Sequence, residues 1–283
     1  MKRSIICAVA LLFVATSAHA FETKGFSNPY GVVVDPATNY IYVSNMNGPG
    51  ERKDDNGFIT RLAEDGGMDV LKFIDGIRGL VELNAPKGMA IIGDFLYVAD
   101  IDALRVFDLK KGKPLFVVNF GDFPVKHFYD LTLGPDNMLY VTDGPSNTVY
   151  RVDVMREHRV TPFIAEAGLG QPHGIIWFSA RQVFLVAGWK SGVVLAFDRN
   201  GKRRSFPSIS VASLEGFTTD ARGNAYVAST NMNAIYRIAA NGGLFPYVPS
   251  IDSPIDMAYQ PTTNRILSVS YRNNALKSYP AAK

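Results

Sequence analysis

The sequence predicts an all-β fold, a six-bladed β-propeller, on three observations. A pattern of about 40–45 residues recurs six times, which is the length of one propeller blade. The chain of 283 residues contains 25 glycines, so it requires many turns. Apolar runs are short and alternate with turn residues, and we find no amphipathic helical stretch of useful length.

Each repeat begins with a turn that leads into a short apolar strand. The steps between the turn residues are 57, 42, 44, 42 and 40 residues, and the long first step contains a Gly- and Asp-rich loop, Met46–Asn56. Two of these positions carry Asp instead of Gly, and we expect both carboxylates to bond to the local backbone, with a channel-facing orientation as the alternative. The turn residues are Gly31, Gly88, Asp130, Gly174, Gly216 and Asp256.

The second strand of each repeat is its most regular element. Leu96–Asp100 and Leu139–Asp143 share the Leu-Tyr-Val pattern, and a third strand such as Thr148–Val152 or Ala234–Ile238 follows. Polar residues that end second strands are expected to cap turns through backbone N–H groups. They are Asn45, Asp100 and Asp143.

A fourth strand completes each blade except the last. The sixth repeat has too few residues for one, whereas Phe21–Ser27 precedes the first repeat and reads as a strand. We therefore expect Phe21–Ser27 to join blade six and close the ring, which protects edges that an open array would expose. The candidate fourth strands are Val70–Ile74, Leu115–Asn119, Val160–Ile164, Ser205–Ile209 and Leu244–Val248.

The first twenty residues predict a cleaved signal peptide, with an uncleaved anchor as the alternative. Lys2 and Arg3 precede the apolar run Ile5–Val14, and Ala18–Ala20 fits a small-x-small cleavage site. The run is shorter than the ~20 residues that span a bilayer. We therefore expect a signal peptide at 1–20, one propeller at 21–283, and a periplasmic or secreted protein. The single cysteine, Cys7, excludes a disulfide framework.

The charge balance limits the class of partner. The formal net charge is +3, and it falls to about +1 when Lys2 and Arg3 leave with the signal peptide. This excess is too small for a polyanion-binding surface. We expect a monomer that binds a small molecule or a protein partner, with no nucleic acid and no membrane span.

The repeats resemble known families. The Pro-x-Gly, Tyr-Val-Ala-Asp and Ile-Tyr-Arg elements resemble NHL repeats, and Glu215–Ala228 is similar to a stretch of the senescence-marker/gluconolactonase family. The resemblance implies a six-bladed propeller and, for the second family, a lactonase that holds a divalent cation such as calcium just before the turn glycines. In this chain the corresponding positions are Tyr30, Phe128-Tyr129, His173 and Glu215. Only Glu215 keeps a carboxylate, so it alone carries over as a metal ligand.

The residues just before the six turn positions form the candidate site. His173 and Glu215 lie on adjacent blades and suit a base with its orienting group, or two metal ligands. Lys87 suits a ligand carboxylate or the neutralisation of Glu215, and Tyr30 and Tyr129 suit an aromatic floor. The alternative is that these groups line a solvated channel and satisfy one another. The six residues are Tyr30, Lys87, Tyr129, His173, Glu215 and Ile255.

Two functions follow from this ring. The first, which the missing metal ligands favour, is a non-catalytic binding or scaffold module that holds a small molecule or protein partner at the channel mouth. The alternative is a metal-dependent hydrolase of the lactonase type, with a diverged site around His173 and Glu215. Trp189 is expected near a rim, and His127 and His158 show no partner at metal-ligand spacing.

Overall fold

The protein is a six-bladed β-propeller, described by a computed structural model over residues 20–76, 81–121, 123–207 and 209–282. Each blade is a four-stranded antiparallel sheet. Residues 1–19 of the predicted signal peptide lie outside the described residues. Among the residues described, no helix has the length and apolarity needed to cross a membrane.

The strands follow one another from the channel outwards in the first five blades. Blade one contains β2 (Pro29–Val34), β3 (Ile41–Asn45), β4 (Phe58–Leu62) and β5 (Met68–Asp75), and blade two contains β6 (Pro86–Ile92), β7 (Phe95–Asp100), β8 (Ala103–Asp108) and β9 (Pro114–Val118). Blade three contains β10 (Phe128–Leu133), β11 (Leu139–Asp143), β12 (Thr148–Asp153) and β13 (Arg159–Ala165).

The remaining blades include the two chain ends. Blade four contains β14 (Pro172–Phe178), β15 (Val183–Gly188), β16 (Val194–Phe197) and β17 (Arg203–Arg204), with short 3₁₀ turns at Ala167–Leu169 and Ser179–Arg181. Blade five contains β18 (Leu214–Thr219), β19 (Ala225–Ser229), β20 (Ala234–Ile238) and β21 (Leu244–Pro249). Blade six contains β22 (Pro254–Gln260), β23 (Arg265–Ser270), β24 (Ala275–Pro280) and, as its outer strand, β1 (Glu22–Lys24).

The pairing of β1 with β24 joins the two ends of the chain in one sheet. Thr23 lies opposite Leu276, and the Ser278 N–H donates to the Phe21 carbonyl at 3.0 Å. Phe26, which follows β1, is buried in the seam between blades six and one. This short strand therefore belongs to the last blade although it precedes the first.

One predicted outer strand is wrong. The sequence predicts a strand over Ser205–Ile209 in blade four, but the outer strand is Arg203–Arg204 and pairs with Ala196 and Phe197. Phe206 and Ile209 pack instead into the core between blades four and five. Only the end of the segment pairs with blade four, where the Val194 N–H donates to the Ile209 carbonyl at 3.3 Å and Val193 forms an isolated bridge with Ser210. The apolarity of Phe206 and Ile209 therefore reflects burial in the seam more than a continuous edge strand.

The hydrophobic core lies in the six seams between neighbouring blades. Each seam has its own cluster of buried side chains, to which the inner, second and third strands of both blades contribute. Tyr140 and Tyr226 are fully buried there, and their hydroxyls donate to Asp136 and Asp220. Buried tyrosines thus add apolar area to the seam while their polar ends stay paired.

A bulge recurs near the start of all six inner strands. In β2 the register shifts between Pro29 and Val32, and in β14 it shifts between Pro172 and Ile175. The same shift occurs in β6, β10, β18 and β22. A bulge redirects side chains out of the regular alternation. It therefore turns the residues before the turn positions towards the channel.

Candidate functional site

The bulges produce two consecutive rings of residues around the channel. The mouth ring is Tyr30, Lys87, Tyr129, His173, Glu215 and Ile255, and the neck ring is Gly31, Gly88, Asp130, Gly174, Gly216 and Asp256. Tyr30 and Ile255 belong to one apolar cluster at the mouth, against which Tyr129 packs. The rings of Tyr30 and Tyr129 are 6.4 Å apart between centroids.

His173 and Glu215 form a buried pair across the seam between blades four and five. His173 Nδ1 lies 2.8 Å from Glu215 Oε2, and the two side chains are 10% and 6% exposed. A Cβ on Gly174 would lie only 2.2 Å from the Glu215 carbonyl oxygen, so glycine permits the close approach of the two strands. The absence of a side chain at Gly174 thus sets the geometry of the pair.

Glu215 uses both of its carboxylate oxygens within the protein. The Tyr30 hydroxyl donates to Oε2 at 3.5 Å, and the Thr230 hydroxyl donates to Oε1 at 3.3 Å. Burial, and then the nearby Glu215 charge, raises the pKa of Tyr30 well above its ordinary value. Tyr30 therefore stays protonated and serves as a donor to the carboxylate.

Aromatic rings stack on His173 and fix its plane. Tyr129 lies 3.7 Å from the imidazole between centroids at 15°, and Trp189 lies 5.4 Å away at 13°. Within the described part of the chain, His173 Nε2 makes no hydrogen bond and is not fully buried. This nitrogen is accordingly left available to a ligand at the mouth.

His127 extends the stack to four rings, although its position in the sequence lies outside the predicted ring of six residues. Its ring lies 4.9 Å from the Tyr129 ring at 25°, and its backbone N–H donates to Asp143 at 3.0 Å. Burial, helped by the charges of Lys87 and His173, lowers the pKa of His127 to about 3. Its Nε2 is buried without a hydrogen-bond partner. The feature of the sequence that could have assigned His127 to the site is its position, two residues before Tyr129.

Lys87 is buried at the mouth. The sequence-based interpretation that it neutralises Glu215 is not borne out by its contacts. Its Nζ donates to the carbonyls of Gly50 at 3.0 Å and Ala85 at 3.3 Å. In the described residues no carboxylate lies within ion-pair distance of this nitrogen. Burial lowers the pKa of Lys87 to about 8, against the opposing charges of Asp100 and Glu51.

The two aspartates of the neck ring bond to the backbone, both locally and across seams. Asp130 accepts from Leu131 N–H at 2.8 Å and from Ile175 N–H of blade four at 3.0 Å. Asp256 accepts from Val32 N–H of blade one at 3.0 Å. Both also line a cavity of about 310 Å³ inside the channel. Burial raises both pKa values, that of Asp130 to about 7.

The polar caps predicted at the ends of second strands are present. Asp100 accepts from the N–H groups of Asn84 and Ala85, and Asn45 accepts from the Ser27 N–H. These groups hold the segments that precede the inner strands. The caps therefore hold the segments that lead into the mouth ring, without being members of that ring.

The residues at the mouth do not fit the divalent cation that the family resemblance implies. Glu215 is the only carboxylate of the mouth ring, and its oxygens already bond to His173, Tyr30 and Thr230. Over the described ranges, no three His, Cys, Asp or Glu side chains group as metal ligands do. Calcium requires six to eight oxygen ligands, which this ring does not supply.

Comparison with known proteins supports the fold. No protein-family model matches the chain, and no curated protein sequence matches it. A gluconolactonase structure from Xanthomonas campestris is 18% identical, with a TM-score of 0.71, over 95% of this chain and 93% of that one. Virginiamycin B lyase from Staphylococcus aureus is 15% identical, with a TM-score of 0.66, over 92% of this chain and 98% of that one. At these identities the likeness establishes a shared propeller fold.

Proposed function

We propose that this protein is a hydrolase of small esters or lactones that uses His173 and Glu215 as an acid–base pair. The observation that carries the proposal is the 2.8 Å contact between His173 Nδ1 and Glu215 Oε2, together with the unpaired Nε2 at the mouth. A carboxylate that accepts from Nδ1–H orients the imidazole and places the lone pair on Nε2. General bases are built in this way.

The geometry suits water activation at Nε2. The imidazole takes a proton from water as the oxygen adds to the substrate carbonyl carbon, and a tetrahedral oxyanion forms. When this intermediate collapses, the C–O bond to the leaving alcohol breaks, which in a lactone is a bond of the ring. The leaving oxygen takes the proton from Nε2. The products are a carboxylic acid and an alcohol, which remain in one molecule when the substrate is a lactone. Glu215 stabilises the transient imidazolium throughout.

The stacked rings contribute by holding the base in place. Tyr129 and Trp189 lie nearly parallel to the imidazole, so rotation out of its plane would disrupt both contacts. A base held in its reactive orientation avoids an entropic cost in the transition state. The fold likeness to a gluconolactonase and to a lyase supports an enzyme at this position. A histidine-to-alanine variant of the staphylococcal lyase is catalytically inactive.

The test is hydrolysis of a panel of γ- and δ-lactones and p-nitrophenyl esters by the purified protein. His173→Gln and Glu215→Gln are each expected to lower kcat/KM by roughly 10²-fold or more, since general bases contribute about 10²–10⁴-fold. His158→Gln is the matched control, because His158 bonds to the Tyr97 hydroxyl away from the mouth. Wild-type rates in both site variants would refute the proposal.

A non-catalytic binding module is the second candidate, and the aromatic stack favours it. Tyr129 and Trp189 present ring surface at the mouth, and such surface suits a small organic ligand. Titration calorimetry with the same compounds distinguishes the two functions. Saturable binding without product, and unchanged affinity in Glu215→Gln, would support the module over the enzyme.

The proposed location of either function is outside the cytoplasm. The support is the charged start at Lys2 and Arg3 and the short apolar run Ile5–Val14, followed by Ala18–Ala20. Mass spectrometry of the expressed protein checks this, with an N-terminus at Phe21 expected in the periplasmic fraction. An intact Met1 in the purified protein would contradict it.

A further inference from the structure

Lys87 is a buried amine at the mouth that the acid–base pair does not use. It lies on β6 next to Gly88 and is 2% exposed. A buried lysine is normally paired with a carboxylate, because an isolated ammonium is costly to desolvate. Among the residues that the structure describes, Lys87 has no such partner. Its surroundings therefore make the ammonium less favourable than it is in water, which eases loss of the proton.

The two hydrogen bonds of Lys87 are as many as a neutral amine can donate. An ammonium has three N–H donors, whereas an amine has two and keeps a lone pair. The nitrogen has two acceptors, the carbonyls of Gly50 and Ala85. With both donors used in this way, the lone pair is the group left without a partner. With a pKa of about 8, roughly a tenth of the amine is neutral at pH 7, against less than about 10⁻³ for an ordinary lysine.

We propose that Lys87 is a nucleophilic amine that forms an imine with small aldehydes entering the channel mouth. The nitrogen attacks the carbonyl carbon, a C–N bond forms, and one proton moves from nitrogen to oxygen to give a carbinolamine. The C–O bond then breaks, the oxygen leaves as water after taking a proton from solvent, and a protonated C=N bond remains. No oxidant or reductant is consumed.

The walls around Lys87 limit the reaction to small molecules and protect the product. The rings of Tyr30 and Tyr129 lie 5.9 and 5.7 Å from Nζ, measured to their centroids. They supply electron-rich faces to the cationic imine and reduce the access of water that would hydrolyse it. The loop that carries Gly50 covers the amine, so bulky aldehydes are excluded. His173 takes no part, and the proposal therefore stands independently of the hydrolase.

The test is reductive trapping on the full-length folded protein. Propionaldehyde and sodium cyanoborohydride are added at pH 7, and peptide mass spectrometry reports alkylation of each lysine over time. Lys110 is the reference, because it is exposed and paired with Asp94 and its pKa is raised. Lys87 is expected to react faster than Lys110 by a factor on the order of 10², from its larger neutral fraction. Equal or slower alkylation of Lys87 would overturn the proposal.

Two variants separate this reaction from its alternatives. Glu51→Gln removes a charge that favours the ammonium, so alkylation of Lys87 is expected to accelerate. His173→Gln is expected to leave the alkylation rate of Lys87 unchanged while lowering ester hydrolysis. Slower alkylation in Glu51→Gln, or its loss in His173→Gln, would contradict the proposed chemistry. If a variant folds poorly, the alkylation rates of Lys87 and Lys110 in the wild-type protein still decide the outcome.

Discussion

The mouth ring and the neck ring are one residue apart in every blade, yet they are built on different principles. The mouth ring holds six side chains with at least four chemistries, whereas the neck ring holds four glycines and two aspartates. At the mouth, side chains contact one another. At the neck, backbones of adjacent blades touch, and the aspartates bond to backbone N–H groups. Variation is therefore concentrated in the ring whose side chains are not needed to close the fold.

The largest effect should come from a methyl group in the neck ring. In Gly174→Ala the new Cβ would lie 2.2 Å from the Glu215 carbonyl oxygen and 3.0 Å from Gly216 Cα, both backbone atoms. We expect the free energy of unfolding to fall by roughly 4 kcal/mol, as in severe overpacking. Urea denaturation measures it.

Two matched substitutions test whether that loss arises from the backbone contact at Gly174. Gly168→Ala, whose nearest atom would be 3.6 Å away, is expected to change the free energy of unfolding by less than about 0.5 kcal/mol. His173→Gln, one residue before Gly174, should cost only about 1 kcal/mol because its contacts are side-chain contacts. A cost for His173→Gln as large as that for Gly174→Ala would remove the distinction between the rings.

The second effect is a pH dependence that arises in the neck ring. Burial raises the pKa of Asp130 from 3.8 to about 7, so the folded protein holds a proton that the unfolded chain releases. The resulting stability is present below pH ~4 and is lost as the pH rises towards 7 and above. Relative to Asp130→Asn, in which Asp256 alone keeps a buried carboxyl, wild type should lose more unfolding free energy between pH 5 and 8, on the order of 1 kcal/mol or more. Parallel pH profiles for the two proteins would contradict this.

The third effect has the opposite sign and arises in the mouth ring. Burial lowers the pKa of Lys87 to about 8, so the folded protein resists a proton that the unfolded chain binds up to pH ~10.5. The resulting penalty is full below pH 8 and disappears as the pH rises through 10.5. Lys87→Met removes it but leaves the carbonyls of Gly50 and Ala85 unpaired. We expect a net gain of about 1 kcal/mol in unfolding free energy at pH 7, measured by denaturation. A net loss would show that the ammonium stabilises the fold.

The propeller and most of its strands could be predicted from the sequence, because they depend on local signals. Turn residues and apolar runs at a fixed spacing identify Leu96–Asp100 or Leu139–Asp143 without reference to the rest of the chain. The prediction failed at Ser205–Ile209, where apolar residues serve a seam between blades rather than a strand. Burial between blades and pairing at an edge leave the same apolar pattern in a single sequence.

The site was predicted in part, and the missing part consists of contacts between blades. The alignment of the repeats brought His173 and Glu215 to the same ring, and the structure places them in contact. Nothing local indicates that His127 stacks on Tyr129 or that Asp130 accepts from Ile175. The carbonyl partners of Lys87 depend on the path of the loop over the mouth, which the sequence does not specify. These contacts follow from the assembled ring.

The smallest effect concerns a residue outside both rings that supports the mouth. Trp189 follows β15 and stacks on His173, but it is 38% exposed, so Trp189→Ala should cost less than about 1 kcal/mol of unfolding free energy. We expect kcat for ester hydrolysis to fall about fivefold with little change in KM, because the imidazole loses one of the rings that hold its plane. Trp189→Phe restores a ring and is expected to recover most of kcat, which a purely structural role would not require. A change confined to KM would mean that Trp189 contacts the substrate, and the positioning of His173 would then rest on Tyr129 alone.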